Sequence, residues 1–318
     1  MSAAHEMDLL INEIFPILPP ELRKMFLRVD WKKTGYIEEI RMRCNQPLII
    51  RNSNQEYGLD PKAGITAEIN RSYQVSGEDI MRTIAAISDN SLYAFEEDIR
   101  KGFITISGGH RVGLAGQVVM QDTHIKAIKE FSSICIRIAR EIRDSASGIM
   151  NSIYAPANKV RNSLLVSPPR CGKTTLLRDI ARSLSSGSRQ HKGRNVVIVD
   201  ERSELAGCYL GIPQLDVGPR TDVLDSCTKA AGMIIAVRAM SPEVVITDEL
   251  GRKEDVVAVQ ECLNAGVSII SSIHAGSIEE LQNRPIMKDL INSRAFKNII
   301  LLSRNRGPGT VEKIVRWD

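Results

Sequence analysis

Residues 160–184 constrain this chain more than any other stretch, because they read as a strand, a short loop and a helix in direct succession. An apolar run ending at residues 162–166 suits a buried strand, and Leu176, Leu177, Ile180, Ala181 and Leu184 then recur at helical spacing. Between them lie Ser167, Pro168, Pro169, Arg170, Cys171, Gly172, Lys173 and Thr174, with Thr175 following. Apart from its first residue this is the spacing of a nucleotide phosphate loop. In such a loop backbone N–H groups and the helix start surround the phosphates, lysine reaches the terminal ones, and threonine holds the metal. Lys173 and Thr174 stand at those two positions, and the cofactors expected are ATP and Mg²⁺. A glycine normally opens the turn, so Ser167 must either hold a conformation open to an L-residue or widen the loop. The competing reading is an ordinary surface turn; the strand before, the Gly-Lys-Thr-Thr run and the apolar helix after weigh against it.

Three further apolar runs in the second half each end in polar residues. Residues 195–200 finish in Asp200-Glu201, followed by Arg202 and Glu204; residues 244–249 finish in Asp248-Glu249; residues 267–274 finish in His274. Buried strands alternating with helices predict an α/β fold with a parallel sheet, whose active groups gather at the carboxyl ends of the strands beside the phosphate loop. Nucleotide hydrolysis needs an acid near the metal and a carboxylate to orient or deprotonate water. Asp248 is assigned to the metal shell and Glu249 to the water, with Asp200 and Glu201 the runners-up for those jobs; from an adjoining strand Asp200, Glu201 or Glu204 could instead support metal or water from the side. Arg202 can reach across a subunit boundary. His274 can sense the terminal phosphate through a hydrogen bond, or it is a capping or packing histidine. Between the acidic pairs, residues 205–221 predict an irregular loop and residues 222–238 a helix. Glu254 and Asp255 suit the start of the next helix through its dipole. Residues 298–317 read as two strands around Gly307-Pro308-Gly309.

The first half reads as a small α+β domain. Two short helices, at residues 8–15 and from Glu21, are closed and separated by Pro16, Pro19 and Pro20 and suit docking. Residues 37–50 predict two strands around Asn45-Gln46-Pro47, with Arg41 and Arg43 on one face. Ser76 and Asp79 have capping-box spacing before a helix carrying Ile80, Ile84, Ile87 and, beyond it, Leu92 to the core. Residues 103–120 predict a curved antiparallel sheet turning at Gly108-Gly109 and turning or bulging near Gly113 and Gly116, and residues 134–141 a closing strand. Arg111, beside the tightest turn, is either a phosphate contact supplied in trans or a local turn residue. His110 has no acidic companion at ligand spacing, which argues against a metal there. The domains expected are 1–145, a linker at 146–162 leading into the second domain, and 163–318.

Composition narrows the classes. The 318 residues suffice for two cores, and 43% hydrophobic with 25% charged residues is the balance of a soluble globular protein. A net charge of +4 is too small to imply nucleic acid, although dispersed arginines leave a basic patch open. Cys44, Cys135, Cys171, Cys208, Cys227 and Cys262 show no zinc spacing and read as reduced thiols of a cytosolic protein. Glu6, Asp8, Asn12 and Glu13 interrupt any leader-like or membrane-length apolar run at the start, so a membrane role is expected to run through a partner or a peripheral surface.

Taken as a set, the motifs carry a resemblance. Gly172-Lys173-Thr174-Thr175, residues 199–204, residues 244–252 and residues 271–276 follow the order of phosphate loop, aspartate box, second Walker element and histidine box in the hexameric secretion ATPases of type II and type IV systems. Residues 106–117 extend the resemblance to the stage III sporulation AA family of endospore-forming bacteria, over most of the chain. The sequence departs from the secretion ATPases in having Asp248-Glu249 for their glycine-glutamate, in lacking their tetracysteine insert, and at Ser167. The resemblance implies a RecA-like P-loop NTPase domain with a smaller N-terminal domain, and a homohexamer with ATP between subunits. It also implies trans-acting arginines, with Arg111 and Arg202 the candidates and Arg137 and Arg140 as alternatives. It further implies a cytoplasmic motor in the mother cell, peripheral at the outer forespore membrane through membrane proteins of the same sporulation complex.

Two classes remain from the sequence: an ATP-driven motor, and a nucleotide-dependent scaffold with little turnover. Lys173, Glu249 and His274 favour the first; Ser167 leaves room for the second. A nucleic-acid motor is a third and weaker reading, since it requires a continuous basic channel.

Overall fold

A computed structural model of the chain describes residues 8–31, 34–52, 54–89 and 95–317. Leu92, expected to face the core, lies outside the described residues. The chain divides into two compact units, Met1–Ala139 and Arg140–Asp318.

In the first unit α1 (Pro20–Leu27) follows a π-helical turn at Leu10–Ile14 and a 3-10 turn at Phe15–Ile17. Phe15, Phe26 and Trp31 pack as one aromatic cluster, with Phe26 stacked 5.5 Å from Trp31. A seven-stranded antiparallel sheet follows: β1 (Ile37–Arg43), β2 (Ile49–Asn52), β3 (Glu56–Asp60), β4 (Gly64–Thr66), β5 (Phe103–Thr105), β6 (Arg111–Gln121) and β7 (His124–Arg137), in the order β4-β3-β2-β1-β7-β6-β5. Two helices, α2 (Gly77–Ile87) and α3 (Glu96–Lys101), complete the unit. Helix α2 begins with the expected reciprocal cap between Ser76 and Asp79. Arg41, on the β1 face it is expected to share with Arg43, pairs with Glu39.

Of the two glycines expected to turn or bulge, Gly116 makes a bulge and Gly113 pairs regularly with Cys135, so β6 runs on to Gln121 and meets a β7 that starts ten residues before the expected closing strand. A Cβ on Gly116 would lie 2.5 Å from the Lys129 carbonyl, so the residue needed for close backbone approach looks in the sequence like a turn.

The second unit opens with α4 (Ser147–Ile153) and the two-residue strands β8 (Tyr154–Ala155) and β9 (Lys159–Val160). Its main sheet contains β10 (Ser163–Ser167), β11 (Val196–Asp200), β12 (Thr221–Asp225), β13 (Val244–Thr247), β14 (Ser268–His274), β15 (Asn298–Ser303) and β16 (Thr310–Arg316). The strand order is β12-β11-β13-β14-β10-β15-β16, parallel except for the β15–β16 hairpin. Its principal helices are α5 (Lys173–Ser186), α6 (Lys229–Ala239) and α7 (Lys253–Asn264), with the single turns α8 (Ile278–Gln282) and α9 (Lys288–Asn292). Strand residues alternate between two cores: Val197, Val199 and Val245 pack with Met233, Ala236, Val259 and Leu290, whereas Val196, Ile198, Val244 and Ile246 pack with Leu176, Leu177 and Ile180. Both faces are therefore covered, which is why these strands read as unbroken apolar runs.

Two expectations are corrected here. Residues 146–162, read as a linker, carry α4, whose Ile149 and Ile153 are buried in the same core as Leu165; the small residues around them hid two inward-facing isoleucines. Residues 222–238, read as one helix, divide: residues 221–225 pair in parallel with β11 as an edge strand, and the helix starts only at Lys229. The edge position leaves that strand half-buried, without the continuous apolar run that marks its neighbours.

Candidate functional site

The phosphate-loop segment is built by β10, a five-residue turn and α5. Ser167 is the last residue of β10 and pairs with His274, so it sits in ordinary extended backbone and needs no glycine. The left-handed positions fall instead at Arg170 and Gly172, with φ of 61° and 82°. Gly172 is also tightly enclosed, since a Cβ there would lie 3.0 Å from the Gly309 nitrogen. Gly309 donates its N–H to the Cys171 carbonyl at 2.9 Å, which ties the β15–β16 hairpin to the loop.

Lys173 is folded onto the loop that precedes it. Its ammonium donates to the Ser167 hydroxyl at 3.1 Å, to the carbonyls of Ser167 and Pro168 at 3.2 Å each, and to Nδ1 of His274 at 2.8 Å. Burial holds its pKa below the usual lysine value, because charge is disfavoured away from water. The other face of the His274 ring places Nε2 3.4 Å from Oε1 of Glu249. Glu249 donates its own N–H to the Ser272 hydroxyl, which fixes the backbone of the second acidic pair against β14.

These groups share a cavity of 380 Å³. Pro169, Arg170, Cys171, Gly172, Lys173, Thr174 and Thr175 form one side, and Asp248, Glu249 and His274 the other, joined by Glu204, Ser272 and Pro308. Three strands deliver them: β10 lies beside β14, and β14 beside β13. Asp248 is buried, its Oδ1 has no hydrogen-bond partner, and burial raises its pKa above the usual carboxylate value. No group of three or more His, Cys, Asp or Glu suited to a metal occurs among the described residues. The donors present, one hydroxyl and one buried carboxylate that lines the cavity, fit a Mg²⁺ whose shell is completed by phosphate and water rather than a protein cage.

The first acidic pair is arranged differently. Asp200 is fully buried and accepts the N–H groups of Glu204, Leu205 and Ala206 at 2.8, 2.9 and 2.9 Å. Burial drives its pKa up to about 6 against the opposing effect of those backbone donors. Its expected metal role is therefore corrected: the carboxylate is committed to shaping the loop and does not line the cavity. Glu201 does not line it either, and its carboxylate is taken by Lys229 and by Arg252 at 3.6 Å. Burial alone would raise its pKa, but the bond and charge from Lys229 outweigh it and the net shift is downward. Arg202 lies close enough to Glu201 and Asp248 to favour their ionised forms, without lining the cavity. Arg111 belongs to the first unit, with its guanidinium 4.1 Å over the Phe103 ring. His110 beside it is buried, joined to Glu13 at 2.7 Å through Nε2 and accepting the Ala139 N–H through Nδ1, which makes it a structural clasp.

The family described as sporulation stage III, protein AA, matches residues 10–317. The chain belongs to that family. The stage III sporulation protein AA of Bacillus subtilis is 43% identical over 308 residues, covering 97% of this chain and 96% of that protein. Among solved structures, the Yersinia pseudotuberculosis ATPase DotB is similar with a TM-score of 0.58 at 12% identity, over 94% of this chain and 80% of that one. The pilus retraction motor PilT, solved with bound ADP, is similar with a TM-score of 0.55 at 13% identity, over 88% and 76% of the two chains. At such identities the likeness is one of fold, and it gives this family member a RecA-like P-loop architecture with a smaller N-terminal α+β unit.

Three groups beside the family member's cavity escaped the sequence reading or were underweighted by it. Glu204 was considered only as a lateral support, yet it lines the cavity directly. Pro308 lies in a turn that sequence periodicity marks only as a turn. Lys229 has a signal in the sequence, a lysine at the start of an otherwise apolar stretch, but the helix expected over 222–238 places it in mid-helix instead of at the first turn.

Proposed function

We propose that the protein is an ATPase of the motor type acting in the sporulation machinery, converting ATP and water to ADP and phosphate with Mg²⁺. The convergence of Lys173, Asp248, Glu249 and His274 on one cavity carries this reading. Thr174 and Asp248 would hold the metal, which would supply charge neutralisation at the phosphates. The Lys173 ammonium is a poorly solvated cation satisfied by loop carbonyls, and it exchanges those neutral acceptors for a charged phosphate oxygen, a stronger charge-assisted bond. Ser167, Pro168, Pro169, Arg170, Cys171, Gly172 and Thr175 shape the cradle. Glu249, partly exposed beside His274, orients or deprotonates the attacking water. His274 links that carboxylate to the lysine and senses the terminal phosphate.

Membership of the sporulation family supports a homo-oligomer, with a hexamer as the specific form proposed, working with membrane proteins of the same sporulation complex. The reading puts it in the mother-cell cytoplasm, peripheral at the outer forespore membrane. No helix among the described residues is long and apolar enough to cross a membrane, so contact through partners is consistent with it. Arg111 and Arg202 are the proposed intersubunit arginines.

The test is steady-state ATP turnover across protein concentration, with Glu249→Gln measured in parallel and nucleotide binding followed separately. Turnover that rises with association and disappears in the variant, with binding retained, supports the motor. Tight binding without turnover in the native protein would replace it with a nucleotide-held scaffold.

A further inference from the structure

Helix α6 begins at Lys229, where the positive end of the helix dipole disfavours a cation. Lys229 is nevertheless buried, with 8% of its side chain exposed, so its surroundings must compensate. Its ammonium donates to the Glu201 carboxylate at the end of β11 and lies 3.5 Å from Oδ1 of Asp248, just past β13. That Asp248 oxygen is buried and accepts no hydrogen bond, and the lysine is ion-paired with it. Glu201 is held from a second side by Arg252, 3.6 Å away, so the lysine leans on a fixed support.

Close packing makes this reach possible. Gly232 lies one turn along the same helix face, and a Cβ there would fall 2.4 Å from Cγ1 of Val199. The glycine lets α6 press against β11 until Lys229 meets carboxylates from two strands. Stability alone is a poor reason for such a cluster, because buried ion pairs seldom improve on apolar residues of similar volume. What the cluster does is fix the position of one carboxylate that faces the cavity.

We propose that Lys229 is a positioning residue for Asp248, holding its carboxylate from the protein side so that the cavity side is set to receive a nucleotide-bound Mg²⁺. This rests on the nucleotide-hydrolysing reading of the site. Lys229 does not line the cavity and touches no phosphate position; it acts through the aspartate. A lysine that merely competed with the metal for Asp248 would have the opposite effect when removed.

The experiment is binding of a fluorescent ATP analogue to the full-length protein, titrated with Mg²⁺ and repeated in EDTA, for native protein, Lys229→Met and Lys229→Arg. Loss of an outer partner of a metal ligand typically weakens metal affinity about 10–100-fold, so the Mg²⁺ midpoint of Lys229→Met should rise by that order. Binding in EDTA should be unchanged, and Lys229→Arg should recover most of the midpoint. Where Lys229→Met does not fold, Lys229→Gln keeps a donor for Glu201 without the charge, and the same rise is expected. A midpoint that stays put or falls in the neutral variants overturns the proposal. Nucleotide binding by the native protein that ignores Mg²⁺ would overturn the site reading beneath it, and the native titration alone reveals that.

Discussion

Lys173 Nζ and His274 Nδ1 lie 2.8 Å apart, so the loop lysine and the histidine closing β14 form one hydrogen-bonded pair. An ammonium has no lone pair, so Nδ1 must accept and the ring proton sits on Nε2, 3.4 Å from Oε1 of Glu249. The Ser167 carbonyl, 3.3 Å from Nδ1, is then a neighbour of the ring rather than its acceptor. A single imidazole thus joins Lys173 to Glu249, the residues proposed to grip phosphate and to orient water.

His274→Ala breaks that link without touching the loop backbone. Nucleotide binding should survive while turnover falls on the order of 100-fold, the lower range for removing a positioned proton-handling group. Single-turnover hydrolysis set against equilibrium binding separates the two. Equal loss of both would make the histidine a packing residue of the loop.

Asp200 gives a pH dependence with a definite sign. Its pKa rises from the ordinary 3.8 to about 6 on folding, chiefly through burial, so the folded state binds the proton more tightly than the unfolded chain. The stabilisation is complete below about pH 4 and is lost as pH climbs through about 6, an effect on the order of 3 kcal/mol at about 1.4 kcal/mol per pH unit. Asp200→Asn cannot titrate and should be less stable, since an amide accepts fewer of the three backbone N–H bonds. The stability gap between native protein and variant should narrow from pH 4 to pH 6. Denaturant unfolding at several pH values reads it directly.

How much of this was legible in the sequence follows from distance along the chain. The phosphate loop is contiguous, and a parallel sheet puts the last residues of apolar runs at one edge by construction, so Lys173, Asp248, Glu249 and His274 could be gathered from the sequence alone. Asp200 obeyed the same rule, but its carboxylate turned back to bind the N–H groups four to six residues on, a local choice that residue type does not encode. Lys229 reaches Glu201 across 28 positions, and only the close approach permitted at Gly232 brings them together. The β6–β7 ribbon was obscured because a bulge glycine and a turn glycine look alike until the partner strand is known.

Gly172 tests the loop geometry. Alanine there would hold φ of 82° and place its Cβ 3.0 Å from the Gly309 nitrogen. Left-handed backbone alone costs about 1–2 kcal/mol for an L-residue with a Cβ. Gly172→Ala should lower the melting temperature and weaken nucleotide binding together, because the strain is relieved only by moving the loop or its tie to the hairpin. A melting temperature that drops with binding intact would mean the hairpin yields instead of the loop.

Arg178 offers the sharpest separation of scaffold from chemistry. It projects from α5 and is buried, donating to the carbonyls of Leu205, Glu204 and Arg140, while Asp200 holds the N–H groups of the same Glu204–Ala206 segment. Glu204, clamped at both its backbone N–H and its carbonyl, is thereby aimed at the cavity. Arg178→Met keeps the apolar stem of the side chain but leaves buried carbonyls unpaired, each worth about 1–3 kcal/mol, so the variant should be destabilised by several kcal/mol and slow in turnover. Glu204→Gln should match its loss of turnover with little change in stability, since the clamp is made by backbone atoms. If Glu204→Gln keeps native turnover while Arg178→Met does not, the segment matters to the fold of the second unit and Glu204 has no part in the reaction.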